Sequence, residues 1–341
     1  MLSFIAEKAA EDAPALVRPT GEQMTYATLA MAATAIMQAL GARVGDFAHR
    51  IVGVAVDEGA GFMASVLAVL EGGGVVLPLD GRRGIAALEH EAARARALAV
   101  IVGVAEEDRL DVVAVDASRR ELAPDACLLV DAGGRRAVHC RTALGIGVDA
   151  CVRALALDAH SRVAIDAPLV ETTALLTALA TLRAGGTLCV GTSTGGNVVL
   201  PRALDTAEAL RVAVDGHALP GVTMRPSDDA LEVRSPTMML GYLDDAEATQ
   251  AAFFERDGGR WVRAHAAGFV DVAALERSIA ATPGVREAAV FDAGGRHYAF
   301  VAGDAAAVPR HPARIVALES LPHRADGSVD REALRRMVTT D

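Results

Sequence analysis

From Thr25 to Leu40 the apolar residues fall at Leu29, Ala33, Ile36, Met37 and Leu40. That is the three-and-four spacing of one helix face, and Gly41 is the expected stop. Ile51 to Val56 alternates as a strand does, residues 61–70 form an apolar helical run, and Gly72-Gly73-Gly74 breaks it. Val75 to Leu79 then has the composition of a buried strand. Strand, helix and strand in this order predict a βαβ unit, the building block of parallel sheets covered by helices.

A second unit repeats the pattern. "LAVLEGGGVVL" (67–77) and "LATLRAGGTLCV" (179–190) each carry a helix end, a glycine break and an apolar strand. Val163–Ile165 supplies the strand before the second helix, which runs from about Leu169 to Leu182. Two similar α/β subdomains are therefore expected, as a pseudo-repeat.

After Pro201 the pattern shortens. "GVTMRPSDDALEVRSP" predicts two strands around a Pro-Ser-Asp-Asp turn. The stretch from Asp271 reads as helix, strand, Gly-Gly turn and strand, followed by a strand in "ARIVALESLP" and a last helix over 329–338. The fold class is α/β: two similar βαβ-type subdomains (1–118 and 119–205), a β-rich subdomain (206–271) and a small C-terminal α+β domain (272–341).

Composition narrows the function classes. The chain has 341 residues, 52% hydrophobic and 23% charged, enough for more than one core. A net charge of −11 argues against nucleic acid or an anionic membrane as the main partner, since both reward basic surfaces. No secretory leader or bilayer-spanning apolar run is read, and a soluble cytoplasmic protein is expected. Cys127, Cys140, Cys151 and Cys189 have no CxxC spacing, so neither a metal site nor a disulfide framework is indicated. Lys8 is the only lysine. No lysine beyond it can serve in catalysis.

Four stretches carry a resemblance. "MTYATLAMAATAIMQALGARVGD" with the first βαβ unit, "LEVRSPTMMLGYLDDAEATQAAF" (231–253), "LERSIAATPGVREAAV" (275–290) and "LPHRADGSVDREALRR" (321–336) occur in this order. They resemble segments of the adenylate-forming superfamily, which includes acyl-CoA synthetases, adenylation domains of nonribosomal peptide synthetases and luciferases. The Gly-Tyr motif at 241–242 is the most specific of them. The resemblance implies ATP-dependent activation of a carboxylic acid as an acyl-adenylate, with release of pyrophosphate, and in many members transfer to a pantetheine thiol.

That chemistry asks for particular groups, and here they are changed. The family's hydroxyl-rich phosphate loop corresponds to "CLLVDAGGRRAVHCRTAL" (127–144), leaving Gly133 and Gly134 as a residual phosphate loop with Arg136 near the place of its lysine. Arginine binds phosphate well, but Asp131 brings a negative charge to the same turn. "GTSTGGN" (191–197) has a cradle's composition but stands after the second βαβ unit, and is read as an ordinary turn. In "WVRAHAAGFVD" (261–271) Ala266 occupies the place of the ribose-binding aspartate, and Ser328 stands where the final motif has lysine. The hinge motif after Asp271 is missing, and the 201–216 region is short for an acid pocket.

The losses fall on groups that would handle ATP, so neither ATP nor Mg is expected as a cofactor unless the nucleotide site has been rebuilt. The expected function is that of a degenerate homologue serving as a binding or scaffold subunit, with an acyl carrier protein or pathway enzyme as partner. Two alternatives stay open. One is an ATP-independent enzyme acting on an acyl thioester, with candidates His139, Glu171, His265 and Ser328 facing one cleft. The other is a reduced but active acyl-AMP ligase using Arg136.

Overall fold

The computed structural model describes residues 12–18, 20–56, 59–104, 109–115, 121–190, 196–198, 203–214, 217–226, 231–264, 275–276, 279–293, 296–308, 314–324 and 329–338. The α/β part contains strands β1 (Pro14–Val17), β2 (Gln23–Thr25), β3 (Ile51–Ala55), β4 (Val75–Pro78), β5 (Ala99–Val104), β6 (Arg109–Ala114), β7 (Ala126–Ala132), β8 (Arg135–Cys140), β9 (Arg162–Ile165) and β10 (Thr187–Val190). Its helices are α1 (Tyr26–Val44), α2 (Ala60–Glu71), α3 (Ile85–Arg94), α4 (Arg141–Ala154) and α5 (Thr172–Ala184).

Both expected βαβ units are present. β3 and β4 pair in parallel across α2, with Val52 beside Val76, and β9 and β10 pair in parallel across α5, with Val163 beside Leu188. Strand assignment to sheets does not follow chain order. One sheet runs β2-β1-β10-β9, so the N-terminal hairpin completes the second unit. The other, seven-stranded, runs β8-β7-β4-β3-β5-β6, with Gly241–Tyr242 on the outside of β8. Ten of the eleven positions of α2 from Ala60 to Leu70, all but Gly61, are buried, because it lies between sheet and helices and has no polar face.

Helix α1 does not stop at Gly41. It continues to Val44 and closes at Gly45, whose φ of 75° and N–H to the Gly41 carbonyl end the turn. By length and composition α1 is also long and apolar enough to cross a bilayer, unlike the expectation from the sequence. In the fold Tyr26, Leu29, Ala33 and Leu40 form its buried stripe. The Tyr26 hydroxyl donates to the carbonyls of Leu182 (3.1 Å) and Gly186 (2.8 Å) at the end of α5. The Leu182 carbonyl also accepts from the Gly185 N–H, so the hydroxyl ties α1 to the capped end of α5.

Beyond residue 203 the elements are smaller. Thr223–Pro226 and Leu231–Arg234 form the expected antiparallel pair, in a four-stranded sheet with Phe253–Arg256 and Gly259–Ala264. Helix α6 (Ala246–Ala252) packs beside it, capped by the Asp245 carboxylate. At the C-terminal end Val285–Ala293 pairs with Arg296–Gly303 and that strand with Arg314–Leu318. Helix α7 (Arg331–Val338) is tied to this sheet by Arg331, which makes a bidentate pair with Glu276 (2.6 and 2.7 Å) and donates to the Val290 carbonyl.

Candidate functional site

Strand order locates the crevice. The chain leaves β4 through α3 toward β5, passing over β3, whereas it leaves β7 by a hairpin to β8 in the opposite direction. Between the carboxyl ends of adjacent β4 and β7 the connections diverge, which is where open α/β sheets place their ligand sites. A cavity of about 390 Å³ lies there. Pro78, Leu79 and Asp80 border it from β4, Val130 and Asp131 from β7, Arg136 from β8, and Glu171 with Thr172 from the start of α5. Of the sequence candidates, Glu171 and Arg136 therefore share one space.

The β7–β8 turn is Ala132 to Arg135, with Gly133 at φ 66° and Gly134 at φ 97°, both in the left-handed region that suits glycine. A phosphate cradle works by leaving backbone N–H groups free to point at an anion. Here the Gly134 N–H donates to Asp131 Oδ1 at 3.2 Å. Arg136 lies 3.5 Å from that oxygen and 3.8 Å from Glu91 Oε2, while Arg83 also pairs with Glu91. Arg135 binds Asp245 at 2.8 Å, and this pair holds the Asp245 carboxyl below the usual carboxylate range. The Gly134 N–H and both arginines of the turn thus already face carboxylates.

Charge in the cavity points the same way. Its wall carries four carboxylates (Asp80, Glu91, Asp131, Glu171) and two guanidiniums (Arg83, Arg136). Asp80 is answered from outside the wall by Arg82, whose bidentate contact lowers its carboxyl from the ordinary value. Glu171 has no side-chain partner among the described residues. Carboxylates therefore outnumber guanidiniums on this wall.

His139 lies elsewhere. It sits next to the last residue of β8 opposite Leu128, fully enclosed, with Nε2 2.8 Å from the Ala207 carbonyl oxygen and Nδ1 without a partner among the described residues. Burial lowers its pKa to about 4, against which its contacts to backbone carbonyls act only partly. It is thus a neutral interior group that does not border the cavity of Glu171. His265 and Ser328 lie outside the described residues, as does Ala266.

The Gly-Tyr pair has a packing role. A Cβ at Gly241 would lie 2.7 Å from Thr249 Cγ2, so only glycine lets α6 approach this strand. Thr249 Oγ1 accepts from the Tyr242 N–H (2.8 Å), and the Tyr242 hydroxyl donates to buried Glu208 (2.8 Å). Burial followed by this carboxylate raises the Tyr242 pKa. Trp261, 2% exposed, donates its indole N–H to the Arg256 carbonyl.

Sequence reasoning missed Asp80, Arg83 and Glu91, which come from elements with no motif of their own. Asp80 had one available signal, its place directly after a buried strand. A second omission is the buried pair Arg211–Asp205, 2% and 3% exposed. Arg211 donates to the Thr173 carbonyl and Thr177 Oγ1, and Asp205 accepts from Thr173 Oγ1, which fixes the 203–214 segment against α5.

The arrangement defines an α/β fold with a switch-point crevice, and known proteins resemble it. The profile of the family described as AMP-binding enzyme matches residues 5–145. MatB from Rhodopseudomonas palustris, in its apo form, is similar over 99% of this chain and 98% of that one, at 16% identity and a TM-score of 0.62. The amide bond synthetase McbA from Marinactinospora thermotolerans gives 99% of each chain, 18% identity and 0.60. A fatty acyl CoA synthetase of Mycobacterium tuberculosis gives 99% and 98%, 16% and 0.60. No curated protein sequence matches the chain. Residues 5–145 thus match the AMP-binding enzyme family, and the chain as a whole shares the fold of these solved structures.

Proposed function

We propose that this protein is an adenylate-forming homologue that no longer activates acids with ATP and works as a binding or scaffold subunit for an acyl carrier protein or pathway enzyme. The supporting observation is the β7–β8 turn. Its glycine N–H and its arginine are taken up by Asp131 and Glu91, in a cavity where carboxylates outnumber guanidiniums. A transition state that gathers charge on phosphate needs donors aimed at it and held free beforehand. This wall offers the reverse. The reading takes the protein as cytoplasmic, with neither nucleic acid nor membrane as partner, for which the charge of −11 is the support.

An ATP-independent thioester enzyme would need an accessible base, and enclosed His139 lends that alternative no support. The catalytic half of the proposal is tested by pyrophosphate release from Mg-ATP across a panel of aliphatic, aryl and amino acids. The expected rate equals the protein-free blank, and acid-dependent release would sink it. Affinity capture from producing cells tests the scaffold half, with a carrier protein or pathway enzyme expected. Recovery of neither removes that half.

A further inference from the structure

At the amino ends of β4 and β7, opposite the ends that form the crevice, lies a second space of about 230 Å³. Its floor is apolar. Leu70, Cys127, Leu144 and Val148 line it and are between 0% and 4% exposed. Burial pushes the Cys127 thiol up to about 12, so at neutral pH it is a small apolar wall rather than a nucleophile.

The rim is cationic. Arg141 and Arg183 border the space, with Asp149 as the one carboxylate among its lining residues. Arg141 donates from Nη1 to the Leu70 carbonyl (2.7 Å) and from Nη2 to the Gly74 carbonyl (3.3 Å), which fixes its guanidinium at the mouth. A guanidinium has five N–H donors, so donors remain after these two bonds. Asp149 is 3.4 Å from Arg183 Nε, and no carboxylate pairs with Arg141 among the described residues.

Gly145 gives a second, independent observation. It stands in the interior of α4, where glycine weakens a helix relative to alanine. Close packing does not require it, since a Cβ built there meets nothing within 4 Å. At Gly147 the reason is visible, because a Cβ would touch Leu210 Cβ at 3.4 Å. The chain thus keeps open volume in front of Gly145, beside an apolar floor and two guanidiniums.

We propose that this space binds a short aliphatic monocarboxylate, its head group between Arg141 and Arg183 and its chain on Leu70, Leu144, Val148 and Cys127. A dry cavity of about 150 Å³ holds benzene, so this larger one takes a chain of about six carbons. The rim disfavours amines, and the floor leaves the hydroxyls of a sugar unpaired. Because the two spaces flank opposite ends of the same strands, occupancy here is independent of the crevice and of the proposed loss of ATP chemistry.

Calorimetric titration of the full chain at low ionic strength tests this, with hexanoate as probe and acetate, hexanol and hexylamine as comparisons. Hexanoate is expected to bind with a Kd on the order of a millimolar or tighter. Acetate and hexanol should bind at least about tenfold more weakly, and hexylamine not at all. Gly145→Leu places a good helix former in the open volume and abolishes binding, while Arg183→Gln weakens it about tenfold. Should Gly145→Leu not fold, Gly145→Ala makes the smaller intrusion and still weakens hexanoate several-fold. The proposal is overturned by no saturable binding of hexanoate, by equal affinity for hexanol or hexylamine, or by unchanged binding in a folded Gly145 variant.

Discussion

Acidification should destabilise this protein through His139. The side chain is fully enclosed and its pKa lies at about 4, against 6.5 when solvated. Above pH 6.5 both folded and unfolded chains hold the neutral ring, and its full contribution to stability is present. As pH falls toward 4 the unfolded chain binds a proton that the folded one refuses, so stability is lost across that window, and the loss levels off below it. Integrated from pH 7.5 to pH 4.5, the loss is on the order of 2–3 kcal/mol. Trp261, the single tryptophan, reports unfolding, since its β-rich sheet shares a core with β8 through Val262 and Ala137. Urea titrations followed by its fluorescence at both pH values, on wild type and His139→Gln, isolate the effect because other titrating groups cancel in the difference. The variant should lose on the order of 2–3 kcal/mol less than wild type on acidification. Equal losses would refute the reasoning and mean that the imidazole is solvated in the folded state.

Three further outcomes follow from named contacts. Asp205→Ala leaves Arg211 charged and unpaired in the interior and should lower stability by about 3–5 kcal/mol, read from the urea midpoint. Gly241→Ala brings a Cβ against Thr249 Cγ2 and should cost about 1–3 kcal/mol, part of which returns in the double variant with Thr249→Ser, which removes the methyl and keeps the hydroxyl. Asp131→Ser removes one carboxylate beside Gly134 and Arg136 and should raise affinity for inorganic pyrophosphate about tenfold at low salt, by calorimetry.

Both βαβ units were legible because each is a continuous apolar run between glycine breaks, a pattern that burial on both sides of a helix layer imposes. The end of α1 was not. Gly41 and Gly45 look alike in sequence, but Gly41 accepts a helical conformation with open space around it, while Gly45 adopts the positive φ that closes the helix. The membership of β1 and β2 in the second sheet was equally hidden, since pairing depends on contacts between residues as far apart as Leu16 and Leu188.

For the site, the turn at Gly133 and Gly134, with Asp131 and Arg136 beside it, was readable from composition. Its partners were not, because Glu91 and Asp80 arrive from α3 and from the end of β4, about forty and fifty residues upstream. Strand alternation separates His139 from Cys140 but does not say which face is enclosed. The Ala207 carbonyl that takes its Nε2 belongs to a segment fixed by Arg211 and Asp205, a pairing without a sequence signature.

The most direct test of the central claim is calorimetric titration of the folded full chain with Mg-ATP and then with a non-hydrolysable acyl-adenylate mimic. With the Gly134 N–H taken up by Asp131 and the cavity wall predominantly anionic, neither ligand should give saturable heat. Saturable binding of either, weakened by Arg136→Ala, would contradict the account and show that the crevice is a nucleotide site.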